Sequence, residues 1–180
     1  MEKLSEQLQN IKFDRIVIVD DTPADIDAAK KAAENLPGIK FIFCQSAAEV
    51  LSLILEDADS IDLIITDLDM EESQSGLEVV ETGFNNNIFV VVASGGFQHR
   101  DMSQVRLASG IESQVEGDKS ESDTWVSIFN AIVETSTKQS ILKTYLLTQK
   151  AGVNFKNSKQ SSFPIGEHVK MVVGSFFEDV

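Results

Sequence analysis

At 180 residues, 42% of them hydrophobic and 24% charged, the chain has the size and balance of one α/β domain and no room for two full-sized ones. Fifteen Lys and Arg against 29 Asp and Glu leave a net charge of -14, which argues against nucleic acid and anionic membranes as main partners, since both are bound by clustered Lys and Arg. The charge is uneven: residues 138–180 hold six Lys and three acids, leaving an acidic body of nine basic and 26 acidic residues ahead of a mildly basic tail.

A single cysteine, Cys44, excludes an intramolecular disulfide framework and any Cys-cluster metal site, and reads as a buried apolar residue. The first ten residues, MEKLSEQLQN, lack the apolar stretch of a signal peptide, and no apolar run approaches the roughly 20 residues that span a bilayer. A soluble cytoplasmic protein is expected.

In chain order, residues 1–12 read as a lead-in. Four short segments rich in β-branched and aromatic residues then predict strands: Arg15–Val19, Lys40–Cys44, Leu63–Thr66 and residues 88–93. The first, third and fourth are unbroken apolar runs, the pattern of strands covered on both faces. Helices are predicted between them over 24–35, over Ala47–Asp57 with Ser46 as N-cap, over 77–82 and over 102–109. Residues 111–115 read as a weak, polar candidate for a fifth strand. Asp123 is expected to cap a further helix in which Trp125, Ile128, Phe129, Ile132 and Val133 recur at helical spacing as a core stripe. That helix is expected to continue through Ile141, Leu142, Tyr145 and Leu146, followed by a polar loop over 150–163 and a last amphipathic helix over 169–177. The alternation predicts a doubly wound parallel sheet, because parallel neighbours need crossover helices.

Asp20 and Asp21 directly follow the first strand, Asp67 ends the third, and Ser94 closes the fourth. In a doubly wound sheet the carboxyl ends of the strands meet at the ligand-binding edge, so these residues are expected to converge. Carboxylates about 4 Å apart repel by roughly 4 kcal/mol per pair at an effective dielectric near 20, so the cluster calls for a cation. Hard oxygen ligands suit Mg²⁺ better than zinc. A carboxylate beside Mg²⁺ is a candidate to attack a phosphoryl group, with a hydroxyl such as Ser94 and an ammonium on the other phosphoryl oxygens. Lys119, the only lysine between Lys40 and Lys138, is the candidate ammonium.

VIVDD at 17–21, DLIITDLDM at 62–70, VVVASG at 90–95 and Lys119 together resemble the signature elements of response-regulator receiver domains of two-component signalling. The resemblance covers roughly residues 13–135 and implies a receiver domain over 13–137, with 138–180 as a helical extension. It implies a flavodoxin-like, five-stranded parallel sheet of order 2-1-3-4-5. It also implies Mg²⁺ held by Asp20, Asp21, Asp67 and the backbone carbonyl of Asp69. Asp67 becomes the acceptor of phosphate from a histidine kinase or histidine phosphotransfer protein, Ser94 the switch hydroxyl and Lys119 the phosphate contact. Three departures stand out. Glu71 replaces a usual proline and Gly76 comes one residue late; Ser120 replaces the proline that usually follows the lysine; and no aromatic residue stands just before Lys119.

Two rivals compete. A haloacid dehalogenase-like phosphatase would use Asp67 as nucleophile and Asp69 as acid/base, but its acidic motif follows the lysine, whereas DDTPADIDAAKKA at 20–32 precedes the nucleophile. A phosphorylation-independent interaction module would use the acids only to solvate a loop. Asp69 could also shorten the phosphorylated state by general-base attack of water. The extension is expected to dock on its own domain or to form a homodimer. It carries no basic recognition helix.

Overall fold

A computed structural model describes residues 2–68, 70, 75–86, 88–94 and 117–134 of the chain. The predicted fifth strand, the helix over 102–109 and the whole of 138–180 lie outside these residues. In chain order the elements are α1 (Glu2–Asn10), β1 (Arg15–Val19), α2 (Pro23–Ala33), β2 (Lys40–Cys44), α3 (Ala47–Asp57), a 3-10 turn (Ala58–Ser60), β3 (Leu63–Thr66), α4 (Ser75–Asn85), β4 (Phe89–Val92) and α5 (residues 122–134).

The four strands pair in parallel in the order β2-β1-β3-β4. Ile16 and Ile18 of β1, with Leu63 and Ile65 of β3, enter one core beside α1, α2 and α5. Val17, Val19 and Ile64 point the other way and meet α3 and α4. The period of two in the strand backbone thus splits each apolar run between two cores, which is why β1 and β3 are apolar without alternation. β2 lies at the edge and buries only Cys44 fully.

Helix boundaries differ from expectation where side chains alone do not decide them. α2 starts at Pro23, whose missing N–H costs nothing in a first turn and whose fixed φ suits a helix. Ser46 caps α3, its hydroxyl accepting from the Glu49 N–H. α4 runs beyond 77–82 at both ends. Gly83 does not interrupt it, because a Cβ there would lie 2.6 Å from Val90 Cγ2, so the close helix-to-strand packing needs glycine. α5 begins at residue 122, which places Asp123 inside the first turn and not at the cap. Its predicted stripe of Trp125, Ile128, Phe129, Ile132 and Val133 is buried core.

The lead-in is itself a helix. Leu4 and Leu8, one turn apart, are buried in the core shared with α2 and α5, and the Ser5 hydroxyl donates to the Pro37 carbonyl. Lys12 then adopts φ 63°, and the N–H groups of Lys12 and Phe13 return to the Gln9 and Leu8 carbonyls, closing the helix before β1.

Candidate functional site

The carboxyl ends of β1, β3 and β4 carry Asp20, Asp67 and Ser94 to one edge of the sheet, because parallel pairing aligns Val19 with Thr66 and Thr66 with Val92. The ladder continues past the strands: Asp67 N–H donates to Val19 O at 3.0 Å, Ala93 N–H to Thr66 O at 2.9 Å, and Asp20 N–H to Cys44 O at 3.2 Å. Backbone pairing therefore holds the acids in place before any side chain acts. Asp20 is 1% exposed and Asp67 8%, with Asp21 nearer solvent.

One carboxylate oxygen from each of Asp20, Asp21 and Asp67 lies within 4.8 Å of the others. Asp20 divides its two oxygens: Oδ1 accepts the Thr22 N–H at 2.9 Å, and Oδ2 accepts Lys119 Nζ at 2.6 Å. The same ammonium donates to Asp67 Oδ1 at 3.0 Å and stands 3.5 Å from Asp25 Oδ2. Burial, the largest single influence on Lys119, disfavours its charge. The charges and hydrogen bonds of Asp67 and Asp20 together outweigh it and hold the lysine pKa above its ordinary value.

Asp25 was not legible in the sequence as part of this cluster. Its signal is its place in the acidic stretch DDTPADIDAAKKA, four residues after Asp21, which puts it in the first turn of α2. Burial and then the charge of Asp20 raise its pKa, and Lys119 at 3.5 Å is too distant a partner to reverse this. The two partners thus shift in senses that look opposed for one ion pair. Lys119 answers to three carboxylates, whereas Asp25 holds only the longest of the three contacts.

The loop before α5 aims Lys119 without a proline. Asp118 Oδ1 accepts both the N–H and the hydroxyl of Ser120, at 3.0 and 2.8 Å, and these two bonds hold the Asp118 carboxyl below the usual carboxylate range. The buried Trp125 indole donates to the Lys119 carbonyl at 2.8 Å, tying the loop to the core. Opposite, Gly76 packs against the end of β3, where Asp67 stands. Its N–H donates to Leu68 O at 3.0 Å, and a Cβ would overlap the Asp67 carbonyl and lie 2.7 Å from Leu68 Cα. The late glycine is thus pressed against the backbone that carries Asp67. Ser94 is half-buried at the same edge, and Asp69 lies outside the described residues.

No family model and no curated protein matches this chain. Among solved structures it is similar to the crystal structure of a response regulator receiver domain protein from Clostridium thermocellum. The identity is 20%, the match covers 71% of this chain and 98% of that one, and the TM-score is 0.51. No described helix is long and apolar enough to cross a membrane. A parallel sheet of order 2-1-3-4, helices on both faces and this structural neighbour establish one conclusion: the chain has the fold of a response-regulator receiver domain.

Proposed function

We propose that this protein is a phosphorylation-dependent signalling switch in which Asp67 accepts a phosphoryl group from the phosphohistidine of a kinase or phosphotransfer partner. The observation that carries the reading is the convergence of three carboxylates with one half-buried ammonium at the carboxyl edge of the sheet. A structural ion pair needs one acid per base; this edge has an excess of acid, which is the electrostatic signature of a cation site.

The donor set fits Mg²⁺: three hard carboxylate oxygens within 4.8 Å of one another, in a pocket that already stabilises the positive charge of Lys119. Asp20, Asp21 and Asp67 would hold the ion, with the Asp69 carbonyl. Bound there, it would neutralise charge on the incoming phosphoryl oxygens. The protein's own groups do the remainder. An Asp67 oxygen attacks phosphorus, the new P–O bond forms as the P–N bond breaks, and the departing imidazole nitrogen keeps the electron pair and takes a proton from solvent. Lys119 then pairs with one phosphoryl oxygen and the Ser94 hydroxyl donates to another. The added charge of about -1.5 to -2 redistributes these contacts and alters the surface a partner reads. Residues 138–180 complete the proposal as a segment that docks on the domain or forms a homodimer.

Incubation with Mg²⁺ and a small phosphodonor should add one base-labile, acid-stable phosphate to the wild type and none to Asp67→Asn. Rapid multiple turnover of phosphate esters would instead indicate a phosphatase. No Mg²⁺ binding and no added phosphate would indicate an interaction module that ignores phosphorylation.

A further inference from the structure

Among the described residues, Asp25 is a buried acid at this edge to which the proposed chemistry assigns no work: it is 9% exposed and 3.5 Å from the Lys119 ammonium. It sits in the first turn of α2, where the helix N-terminus favours a negative charge. That benefit is available equally to an exposed acid, and burying a carboxylate is costly unless it is paired. Its neighbours along the buried face of α2 are Ile26, Ala28, Ala29 and Ala32, so the position is otherwise suited to an apolar side chain. Among the described residues, the cation that meets the Asp25 carboxylate is Lys119, reached across a separation of 94 positions in the chain.

Lys119 therefore stands between two sets of carboxylates on different elements: Asp20 and Asp67 at the strand ends, at 2.6 and 3.0 Å, and Asp25 on α2, at 3.5 Å. The Lys119 backbone is anchored through its carbonyl to the Trp125 indole, so the ammonium can redistribute among these partners while its loop stays fixed. A divalent ion on Asp20 and Asp67 would claim the oxygens that now hold the ammonium, leaving Asp25 as the remaining carboxylate within reach.

We infer that Asp25 is a positioning residue that competes with an anion on Asp67 for the Lys119 ammonium, and so sets how tightly the site holds a phosphoryl group. The inference rests on Asp67 being the acceptor. An arriving phosphoryl group recruits Lys119 by drawing it from Asp25, and does so against the added negative charge of Asp25 itself. Both effects weaken retention of the anion. The acceptor's charged state is thereby biased towards loss, a setting that belongs to a switch required to reset.

The test uses the full chain with Mg²⁺ and beryllofluoride, a tetrahedral anion that seats on a carboxylate oxygen as a phosphoryl group does. Wild type, Asp25→Asn, Asp25→Glu and Asp67→Asn are compared. Asp25→Asn keeps the shape of the side chain and removes its charge, and should bind beryllofluoride about tenfold more tightly than wild type. Asp25→Glu should restore the weaker binding. In the protein without Mg²⁺ or anion, the ¹⁵N-edited resonance of the Lys119 ammonium should move in Asp25→Asn and return in Asp25→Glu, a signal that loss of packing alone would not produce in this pattern. If wild type took up beryllofluoride in an Asp67-dependent way and Asp25→Asn bound it no more tightly, the inference would be overturned and the acceptor reading would stand. If neither bound it, the acceptor reading would fall, and this inference with it.

Discussion

The two ends of the sheet both join aspartates to a basic side chain, yet they differ in how the charges balance. At the amino end, Asp62 Oδ2 accepts the backbone N–H groups of Asp14 and Arg15 at 2.9 and 2.7 Å, and the Arg15 guanidinium meets Asp57 at 3.3 Å and the Ser60 hydroxyl. These carboxylates are satisfied by donors that belong to the fold, and Asp57 remains in solvent. At the carboxyl end, Asp20, Asp25 and Asp67 are buried and share one ammonium. The first arrangement closes on itself and holds β1 beside β3. The second leaves an excess of acid that an external cation or a change of state can relieve.

The largest expected effect that separates the two ends comes from Lys119→Met. Removing the shared cation leaves buried carboxylates facing one another, and should cost about 3 kcal/mol or more in urea unfolding without divalent ions. Saturating Mg²⁺ should recover much of that loss by binding only the folded state. A small loss, or one that Mg²⁺ leaves untouched, would break the distinction between the two ends.

Gly76→Ala comes next. The new methyl overlaps the Asp67 carbonyl and crowds Leu68, so a destabilisation of about 2–3 kcal/mol is expected, together with loss of phosphodonor labelling. Wild-type labelling in a destabilised Gly76→Ala protein would show that the backbone carrying Asp67 tolerates displacement.

At the amino end, Asp62→Ala should cost about 1–2 kcal/mol, through the two backbone donors it leaves without their carboxylate, and should leave Mg²⁺ affinity unchanged. A fall in Mg²⁺ affinity would mean that the two ends are coupled through the sheet.

Cys44 gives a pH test beside the site. Burial, and then the charge of Glu49, pushes its thiol up to about 11 from 9.0. The folded state therefore keeps a proton that the unfolded chain loses. Stability contributed at this residue is unaffected below pH 9.0 and falls as pH rises towards about 11, by at most about 1.4 kcal/mol per pH unit. Melts across that window should be steeper for the wild type than for Cys44→Ala, and equal slopes would contradict the burial of the thiol.

The smallest effect is expected from Asp57→Asn. Hydrogen bonds from Ser60, and then Arg15, hold this exposed carboxyl below its usual range. An exposed pair of this kind contributes little, so the melting temperature should be unchanged within error.

These contrasts track what sequence alone could reveal. β1, β2 and β3 were predicted at their observed bounds because short runs of Ile, Val and Phe leave little choice between strand and helix once turn residues flank them. α1 reads only as a lead-in from sequence because nine residues with two buried leucines make a weak periodic signal; it is packing against α2 and α5 that makes it part of the domain. The edge position of Asp20, Asp67 and Ser94 followed from the alternation of strands and helices. The distances among them did not, because they depend on register, and register is set by how both faces of the sheet are covered.

By itself, then, the chain determined a parallel α/β sheet with its acids gathered at one edge, because apolar runs and crossover spacing are local properties that survive without tertiary context. Only the tertiary structure decided that Lys119 bridges Asp20 and Asp67, that Asp25 joins them from α2, and that Trp125 and Asp118 hold the lysine loop in place of a proline. Residues 94 and 99 positions apart become neighbours through the folding of the whole sheet. Burial then turns a weak surface attraction into the interaction that defines the site, because charges removed from water can be balanced only by one another or by a ligand.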